Sequence, residues 1–305
     1  MKEFTNWLDR ESYPFALREF DSGEGWMNYV DEGSGRPIVF VHGSMAWSFL
    51  FRDLVSQLSS QYRCVALDHL GFGLSDTPED AEYTMAAHSR RFGRFIKQLG
   101  LRDITLVVID AGGPIALDWA NDNPELVRDV IFFNTHLWSL RSHARAKRLA
   151  NMLLSPINRF YYRVISSAPV FVLAAYFADR HAMTPEIQQQ YLKPFFRQEE
   201  RKGIYALIES WRKSGPWYDQ VGQRSRVLQL KQTLMLWGMK DPMFDSAALA
   251  QMQSMFPEAQ TVQFENSGRY VIEEQSERVL QEIRWFLLGS GTPSDTVIEQ
   301  IENLS

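Results

Sequence analysis

The chain has 305 residues, of which 45% are hydrophobic and 23% are charged. This composition is typical of a globular protein with enough apolar material for a large core. The formal net charge of −5 is small, and the Lys and Arg residues are dispersed along the chain. The charge pattern therefore argues against nucleic acid or an anionic membrane as a partner.

The N-terminal segment lacks a basic start followed by an apolar run, and no stretch of 18 uncharged apolar residues occurs. We therefore expect a cytoplasmic protein without a membrane span. The single cysteine, Cys64, cannot form an internal disulfide. Its apolar, strand-like surroundings favour a buried hydrophobic side chain over a nucleophile.

Short β-rich runs alternate with helical patterns from residue 26 onward. Near-continuous Val, Ile and Leu in the middle runs favours strands that are buried on both faces. The alternation predicts βαβ units, and hence an α/β fold with a mostly parallel, doubly wound sheet. The predicted strands are WMNYVDEG, PIVFVHG, RCVALDH, ITLVVID, VIFFNTH, TLMLWG and AQTVQFEN; helices are predicted at FRDLVSQLSSQ, AAHSRRFGRFIKQLG and GPIALDWANDN.

The alternation breaks between residues 137 and 228, where the helical segments RSHARAKRLANMLLSPINRFYYRVI, TPEIQQQYLKPFFRQ and GIYALIESWRKSG follow one another. We predict a helical cap at 137–228, inserted into a core formed by 1–136 and 229–289. The tail 290–305 reads as a linker followed by a short helix or a disordered end. The cap contains many aromatic residues, which can roof an apolar pocket as well as pack against one another: Phe160, Tyr161, Tyr162, Phe171, Tyr176, Phe177, Phe195, Phe196, Trp211 and Trp217.

The run VVIDAGGPIALDWA places an aspartate between a predicted strand and a predicted helix. Ligands of doubly wound sheets bind beyond the carboxyl ends of the strands. Ala111, Gly112 and Gly113 are small enough for the sharp turn of a nucleophile elbow, which would lift Asp110 to the helix N-terminus. There the helix dipole would keep its carboxylate ionised and nucleophilic. The alternative is that Asp110 is only a helix N-cap.

Two further strand ends carry polar residues. The strand TLMLWG is followed by a loop with Asp241, and the strand AQTVQFEN is followed by SGRYVIEE. The chain order of a hydrolase triad is nucleophile, acid, base. After Asp110 and Asp241, that order assigns the base to position 269, which is an arginine.

The motifs HGSMAWSFLFR, LDHLGFGLSD, VVIDAGGPIALDWA and FFNTHLW together resemble the α/β-hydrolase superfamily over nearly the whole chain. More narrowly they resemble haloalkane dehalogenases, and most of all the branch that includes the β-lactone decarboxylases of bacterial olefin biosynthesis. The resemblance implies an aspartate that attacks an electrophilic carbon to form an alkyl ester, and a histidine that activates water to hydrolyse it. Asp110 and Asp241 match the nucleophile and the acid.

The chain departs from that pattern at three places. Members of the family carry a histidine where this chain has Arg269. Dehalogenases hold the leaving halide with side chains at the positions of Ser44 and Ala111, neither of which is the usual Asn or Trp. The usual proline after the oxyanion turn is replaced by Met45 and Ala46. Backbone N–H groups of Ser44 and Ala111 remain candidates for anion stabilisation.

A guanidinium has no acceptor lone pair and a pKa above about 12, so Arg269 cannot be a general base. Paired with Asp110 or Asp241, it would hold the carboxylate ionised and could grip a substrate carboxylate with two hydrogen bonds. Alternatively, it only neutralises two acids that face each other after catalysis was lost. A third hypothesis is that it was introduced in place of a native histidine.

Another histidine could supply the missing chemistry. His136, which follows the strand VIFFNTH, borders the elbow in the implied fold, although it could also be a satisfied polar residue at the start of the cap. Trp47 and Asn134 are further candidates for the pocket. We expect neither a metal nor a cofactor.

The sequence thus leaves two functions open. One is an enzyme in which Asp110 attacks a small hydrophobic substrate and in which ordinary hydrolysis is disfavoured. The other is an impaired enzyme or a protein that binds hydrophobic ligands.

Overall fold

The structure is a computed structural model that describes residues 7–141, 143–158, 160, 177–196 and 199–289. Within these ranges the strands form one sheet of eight, in the order β1-β2-β4-β3-β5-β6-β7-β8. The first two strands join the sheet by antiparallel pairing, and all other neighbours are parallel. The strands are β1 Arg18–Asp21, β2 Trp26–Glu32, β3 Pro37–Val41, β4 Arg63–Leu67, β5 Ile104–Asp110, β6 Val127–Thr135, β7 Gln232–Gly238 and β8 Gln260–Phe264.

Helices occupy the connections between the strands. In the described ranges they are α1 Arg52–Leu58, α2 Met85–Leu99, α3 Gly112–Asp122, α4 Ala144–Leu153, α5 Pro185–Leu192, α6 Lys202–Lys213, α7 Gly215–Arg224, α8 Ser246–Met255, α9 Val271–Glu274 and α10 Ser276–Leu287. Short 3-10 turns cover Ser48–Phe51, Pro124–Leu126, Lys193–Phe195, Glu199–Arg201 and Ser225–Leu228.

Two hydrophobic clusters cover the two faces of the sheet. Alternate residues of β5 point to opposite faces, so Leu106 and Val108 belong to one cluster and Val107 and Ile109 to the other. The first cluster includes residues of α2, α3 and α8, and the second includes residues of α1 and α10. Burial on both faces explains why β3 to β7 are continuous apolar runs in the sequence.

The predicted α/β fold with a mostly parallel, doubly wound sheet is confirmed. Strand β1 and helices α7 and α8 are elements that the sequence patterns did not predict. Strand β1 has the sequence REFD, in which only Phe20 is buried, so it carries almost no apolar signal. Helix α7 begins with Gly-Pro, which reads as a turn, but proline is well tolerated in the first turn of a helix.

Helices α4 to α7 lie in the segment predicted to be a cap, whose boundaries remain a prediction. Of its predicted pocket aromatics, Phe177 and Phe195 are buried, Trp217 is partly buried, and Phe160 and Phe196 are exposed. The other predicted aromatics lie outside the described side chains, as does the tail. No helix among the described residues has the length and apolar character needed to cross a bilayer.

Candidate active site

Strand β5 ends in a sharp turn at Asp110. Its φ of 50° is in the left-handed region, which a residue with a side chain adopts only at a cost of order 1–3 kcal/mol. Helix α3 begins two residues later, with Ala111 as its N-cap residue. This is the strand, turn and helix arrangement of a nucleophile elbow, and it puts Asp110 at the N-terminus of α3.

Glycines around the elbow are required by close packing. A Cβ atom on Gly112 would lie 2.1 Å from the Val41 carbonyl oxygen, and one on Gly113 would lie 2.1 Å from Oγ1 of Thr135. A Cβ on Gly43 would lie 2.4 Å from Cβ of Asp110. All three distances are below any real contact, so α3 and the turn after β3 approach the elbow this closely only because these residues lack side chains.

Ser44 donates two hydrogen bonds to one oxygen of the Asp110 carboxylate. Its backbone N–H donates to Oδ2 at 2.8 Å, and its hydroxyl donates to the same atom. Tyr270 in turn donates to the Ser44 carbonyl oxygen at 3.2 Å. Ser44 therefore holds one of the two oxygens of the Asp110 carboxylate through both its backbone N–H and its hydroxyl.

Asp241 lies in the loop after β7 and is held from its own loop. Its Oδ1 accepts hydrogen bonds from the backbone N–H groups of Met243 at 2.8 Å and Phe244 at 3.1 Å. Asn134, at the end of β6, fixes the same loop: its side chain donates to the carbonyl oxygens of Gly238 and Phe244 and accepts from the Gly238 N–H. Asn134 is thus a residue that positions the Asp241 loop.

Arg269 joins the two aspartates. Its Nε donates to Oδ2 of Asp241 at 2.8 Å, and its Nη2 donates to Oδ1 at 3.0 Å. Its Nη1 reaches Oδ1 of Asp110 at the longer distance of 3.4 Å. The guanidinium carbon lies 4.4 Å from the centre of the Phe244 ring, within range of a cation–π contact. Arg269 is therefore paired tightly with Asp241 and loosely with Asp110.

All three charged side chains are removed from solvent: Arg269 is 0% exposed, and Asp110 and Asp241 are each 2% exposed. One guanidinium therefore faces two carboxylates in a medium where unpaired charge is costly. Ser44 donates to one oxygen of Asp110 and Arg269 donates to the other. The backbone of the Asp241 loop donates to Oδ1 of Asp241, which also accepts from Arg269. The cluster is stable only as a whole, because removal of one member leaves a buried charge without its partner.

His136 follows the last residue of β6 and is fully buried. Its Nδ1 lies 2.8 Å from the Trp138 carbonyl oxygen, and its Nε2 has no hydrogen-bond partner in the described parts of the chain. Its ring lies 5.3 Å from that of Phe244 and 4.9 Å from that of Tyr218. Burial lowers its pKa to about 4, so the ring is neutral at pH 7.

Trp47 is a predicted pocket residue, but the contacts described for it are with residues outside the cluster of three charged side chains. Its indole N–H donates to the carbonyl oxygen of Gln190, in helix α5, at 3.0 Å. Its ring packs against those of Tyr13 and Phe49. Trp47 thus links the turn after β3 to helix α5, whereas Ser44 and Arg269 both contact Asp110.

Sequence reasoning missed residues that support the cluster. Thr135 donates to the Asp110 carbonyl oxygen at 2.5 Å, which fixes the elbow to β6. Phe244 supplies the ring under Arg269, and Tyr270 supports Ser44. Tyr270 had a signal in the sequence, because it directly follows Arg269. Phe244 and Thr135 lie beside the cluster because of the way the chain folds, and no motif in the sequence marks them.

Among the described residues, no group of three or more His, Cys, Asp or Glu side chains is arranged to hold a metal ion. The chemistry available at this cluster is that of a carboxylate at an elbow, an N–H donor on its second oxygen, and a cation beside its first. A proton acceptor at position 269, which hydrolysis of an ester on Asp110 would use, is replaced by a permanent donor.

Comparison with known proteins gives the same fold. Residues 36–276 match the family described as alpha/beta hydrolase fold. Haloalkane dehalogenase 2 of Mycobacterium tuberculosis is 32% identical over 89% of this chain and 94% of its own length. A cis-3-alkyl-4-alkyloxetan-2-one decarboxylase of Shewanella oneidensis is 29% identical over 94% of both chains.

A solved structure agrees with these relatives. The haloalkane dehalogenase DatA of Agrobacterium tumefaciens superposes with a TM-score of 0.80 and 26% identity, over 90% of this chain and 96% of its own. The chain therefore belongs to the α/β-hydrolase-fold enzymes, in the branch that includes haloalkane dehalogenases and cis-3-alkyl-4-alkyloxetan-2-one decarboxylases.

Proposed function

We propose that Asp110 attacks an electrophilic carbon of a small hydrophobic substrate, in a reaction that consumes no water. The observation that carries this proposal is the contact of Arg269 with both aspartates, 2.8 Å to Asp241 and 3.4 Å to Asp110. The cation occupies the place from which a general base would activate water. A reaction that splits the covalent intermediate without water suits this arrangement better than hydrolysis.

Hydrolysis would require a proton acceptor near the ester that Asp110 forms. Arg269 has none, because its guanidinium remains protonated at any pH at which the protein folds. His136 is a weak substitute, since its pKa is lowered to about 4 and a base so far below the working pH contributes little to catalysis. An alkyl ester at Asp110 is thus expected to persist unless it breaks down by itself.

Opening of a β-lactone offers such a route. An oxygen of Asp110 attacks the saturated ring carbon that is bonded to the ring oxygen, and the bond between that carbon and the ring oxygen breaks to give a free carboxylate. The carbon–carbon bond to that carboxylate then breaks and CO2 leaves. The electron pair of this bond forms the carbon–carbon double bond of the alkene, and the bond between the substrate carbon and the Asp110 oxygen breaks. The products are CO2 and an alkene, the aspartate is regenerated, and neither water nor a proton is consumed.

Arg269 suits the movement of charge in this route. The negative charge of Asp110 disappears when the ester forms, and an equal charge appears on the substrate carboxylate. The Nη1 contact at 3.4 Å is the loosest in the cluster, and this group can follow the charge while Nε and Nη2 stay on Asp241. A cation that pairs better with the opened product than with the starting site lowers the barrier to opening.

Halide release is less well supported. The dehalogenase pattern uses side-chain donors at positions that hold Ser44 and Ala111 here. The Ser44 hydroxyl already donates to Asp110, and Ala111 has no donor in its side chain. The lack of these side-chain donors therefore favours a carbon–oxygen bond as the one that breaks.

A second candidate function is binding without turnover. The specific observation is that both oxygens of Asp110 are engaged, one by Ser44 and the other by Arg269. A carboxylate held on both sides is a weaker nucleophile than a free one. In that case the protein would retain an apolar ligand under the cap.

Incubation with a cis-3,4-dialkyl-oxetan-2-one tests the proposal. We expect an alkene and CO2 in equal amounts, measured by gas chromatography, and no product with Asp110→Asn. A hydroxy acid instead of an alkene would show that water enters the reaction. Absence of product, together with equal ligand binding by the wild type and Asp110→Asn, would favour the binding protein.

A further inference from the structure

The imidazole of His136 has one satisfied and one unsatisfied nitrogen. Nδ1 lies 2.8 Å from the Trp138 carbonyl oxygen, while Nε2 is buried without a partner in the part of the chain that the structure describes. A buried polar atom without a partner is uncommon in folded proteins, because it has given up its hydrogen bond with water. Such an atom indicates a place that a ligand or an ordered water completes.

The bond at Nδ1 decides what Nε2 can do. A carbonyl oxygen only accepts, so Nδ1 carries the proton and Nε2 presents a lone pair. The ring remains neutral at pH 7, because burial lowers its pKa to about 4. Nε2 is therefore an acceptor for O–H or N–H groups and not a donor.

The ring of His136 belongs to the same cluster as Asp110. It stacks on Phe244 at 5.3 Å with an interplanar angle of 29°, and Phe244 also carries the guanidinium of Arg269. The preceding residue, Thr135, is paired in register with Asp110 and donates to its carbonyl oxygen. The charges of Asp110 and Arg269 both act on the ring.

Aromatic rings flank the imidazole. The Tyr218 ring lies 4.9 Å from the imidazole, and its hydroxyl is bonded to Ser210 at 2.9 Å. The Ser210 hydroxyl donates to the Leu207 carbonyl oxygen, so Tyr218 is the donor in that pair and offers its ring to the site. A single hydrogen-bond acceptor among aromatic side chains discriminates between ligands that differ by one polar group, because an apolar ligand leaves the acceptor unsatisfied.

We propose that Nε2 of His136 is an acceptor subsite of the Asp110 site, and that the substrate carries an O–H or N–H group in addition to its electrophilic carbon. This inference rests on the proposed function only in placing the substrate beside Asp110. An ordered water could satisfy the same nitrogen. The two occupants differ in one respect: only a substrate donor makes binding selective.

Matched ligands distinguish the two occupants. Bromoalkanols and bromoalkanes with equal numbers of heavy atoms, such as 3-bromopropan-1-ol and 1-bromobutane, form pairs that differ by one hydroxyl. Pairs with chains of three to seven heavy atoms vary the distance from the reacting carbon to the hydroxyl. Their dissociation constants are measured by calorimetry with the Asp110→Asn variant, which keeps the size of the side chain and prevents alkylation.

At one chain length we expect the selectivity for the alcohol to fall about tenfold when His136 is replaced in that background, the usual effect of an unsatisfied buried group. His136→Phe keeps a ring on Phe244, and His136→Asn keeps a donor for the Trp138 carbonyl. His181→Phe, at an exposed histidine, is the control and should keep the selectivity. Equal selectivity in all variants would overturn the proposal. An ordered water would then be the group that satisfies Nε2 of His136.

A second measurement needs no substitution at His136. In the full-length wild-type protein, the Nε2 nitrogen should give a 15N resonance typical of an unprotonated imidazole nitrogen, and the preferred alcohol should shift it while the matched alkane does not. An unshifted signal with bound alcohol would contradict the proposal. Selective binding without any alkene production would sustain this inference while the proposed function fails.

Discussion

Arg269 and Asp241 form a two-pronged pair, with Nε donating to Oδ2 at 2.8 Å and Nη2 donating to Oδ1 at 3.0 Å. The planar fork of a guanidinium matches a carboxylate in this way, whereas lysine cannot. The pair fixes Arg269 by two of its three nitrogens. The third is left to face Asp110 at 3.4 Å, and this is the geometry on which the proposed chemistry depends.

Replacement of Arg269 by methionine should destabilise the protein by about 3–5 kcal/mol, because two buried carboxylates then lose their only described cation. Equilibrium unfolding in urea measures the change. Adding Asp241→Asn to this variant removes one of the uncompensated charges and should recover part of the loss. An unchanged free energy of unfolding for Arg269→Met would show that the buried pair contributes nothing.

Arg269→His should create hydrolysis that the wild type lacks. A histidine at this position would lie beside Asp241, which can orient it and stabilise its protonated form. We expect bromoalkane incubated with this variant to release alcohol over many turnovers, measured by gas chromatography. Arg269→Gln, which supplies no base, is the matched control. No gain of hydrolysis in Arg269→His would mean that other positions, such as Ser44 and Ala111, limit the reaction.

Stability should fall as the pH drops below about 6.5. Burial lowers the pKa of His42 and of His136 to about 4 and of His88 to about 3, and it also lowers the pKa of His69 well below its ordinary value. In the unfolded chain these rings titrate near 6.5, so between about pH 6.5 and 4 the unfolded state binds more protons. Each ring contributes a slope of up to about 1.4 kcal/mol per pH unit.

Unfolding in urea at several pH values between 5 and 7 measures this slope. Buried carboxyl groups with a raised pKa, such as Asp68 and Glu274, act in the opposite direction at lower pH, so the upper part of the range is the more informative. His88→Leu should reduce the slope by about one proton. The exposed His181→Leu is the matched control, and an equal slope in both variants would contradict the assignment.

Gly112→Ala should destabilise the protein by about 3 kcal/mol. The new Cβ would lie 2.1 Å from the Val41 carbonyl oxygen, and backbone on both sides must shift to relieve the overlap. Gly100→Ala is the comparison: nothing lies within 4 Å of its Cβ, and its φ of 62° costs about 1 kcal/mol. Equal losses in the two variants would show that α3 is free to move away from β3.

The elbow and its neighbours could be predicted because they are local. A buried strand, one aspartate and a run of small residues are consecutive in the sequence, and the structure ends β5 on Asp110 and begins α3 at Gly112. The loop after β7 brings Asp241 to the same edge of the sheet for the same reason, since the carboxyl ends of parallel strands lie together.

Contacts between distant segments could not be predicted. Which aspartate Arg269 pairs with more tightly depends on the position of its side chain between β7 and β5. The hydrogen bond from Trp47 to Gln190 depends on how helix α5 packs against the turn after β3. The sequence predicts His136 close to the elbow. It does not predict the turn that brings the Trp138 carbonyl to Nδ1 and leaves Nε2 unsatisfied.

The most direct test of Asp110 as a nucleophile without a base is the intact mass of the wild-type protein after mixing with a bromoalkane. We predict a persistent gain of one alkyl group, located on the peptide that contains Asp110, with one bromide released per chain and no alcohol formed. Asp110→Asn should gain no mass. Continuous release of bromide and alcohol by the wild type, or an equal gain of mass by Asp110→Asn, would contradict the account.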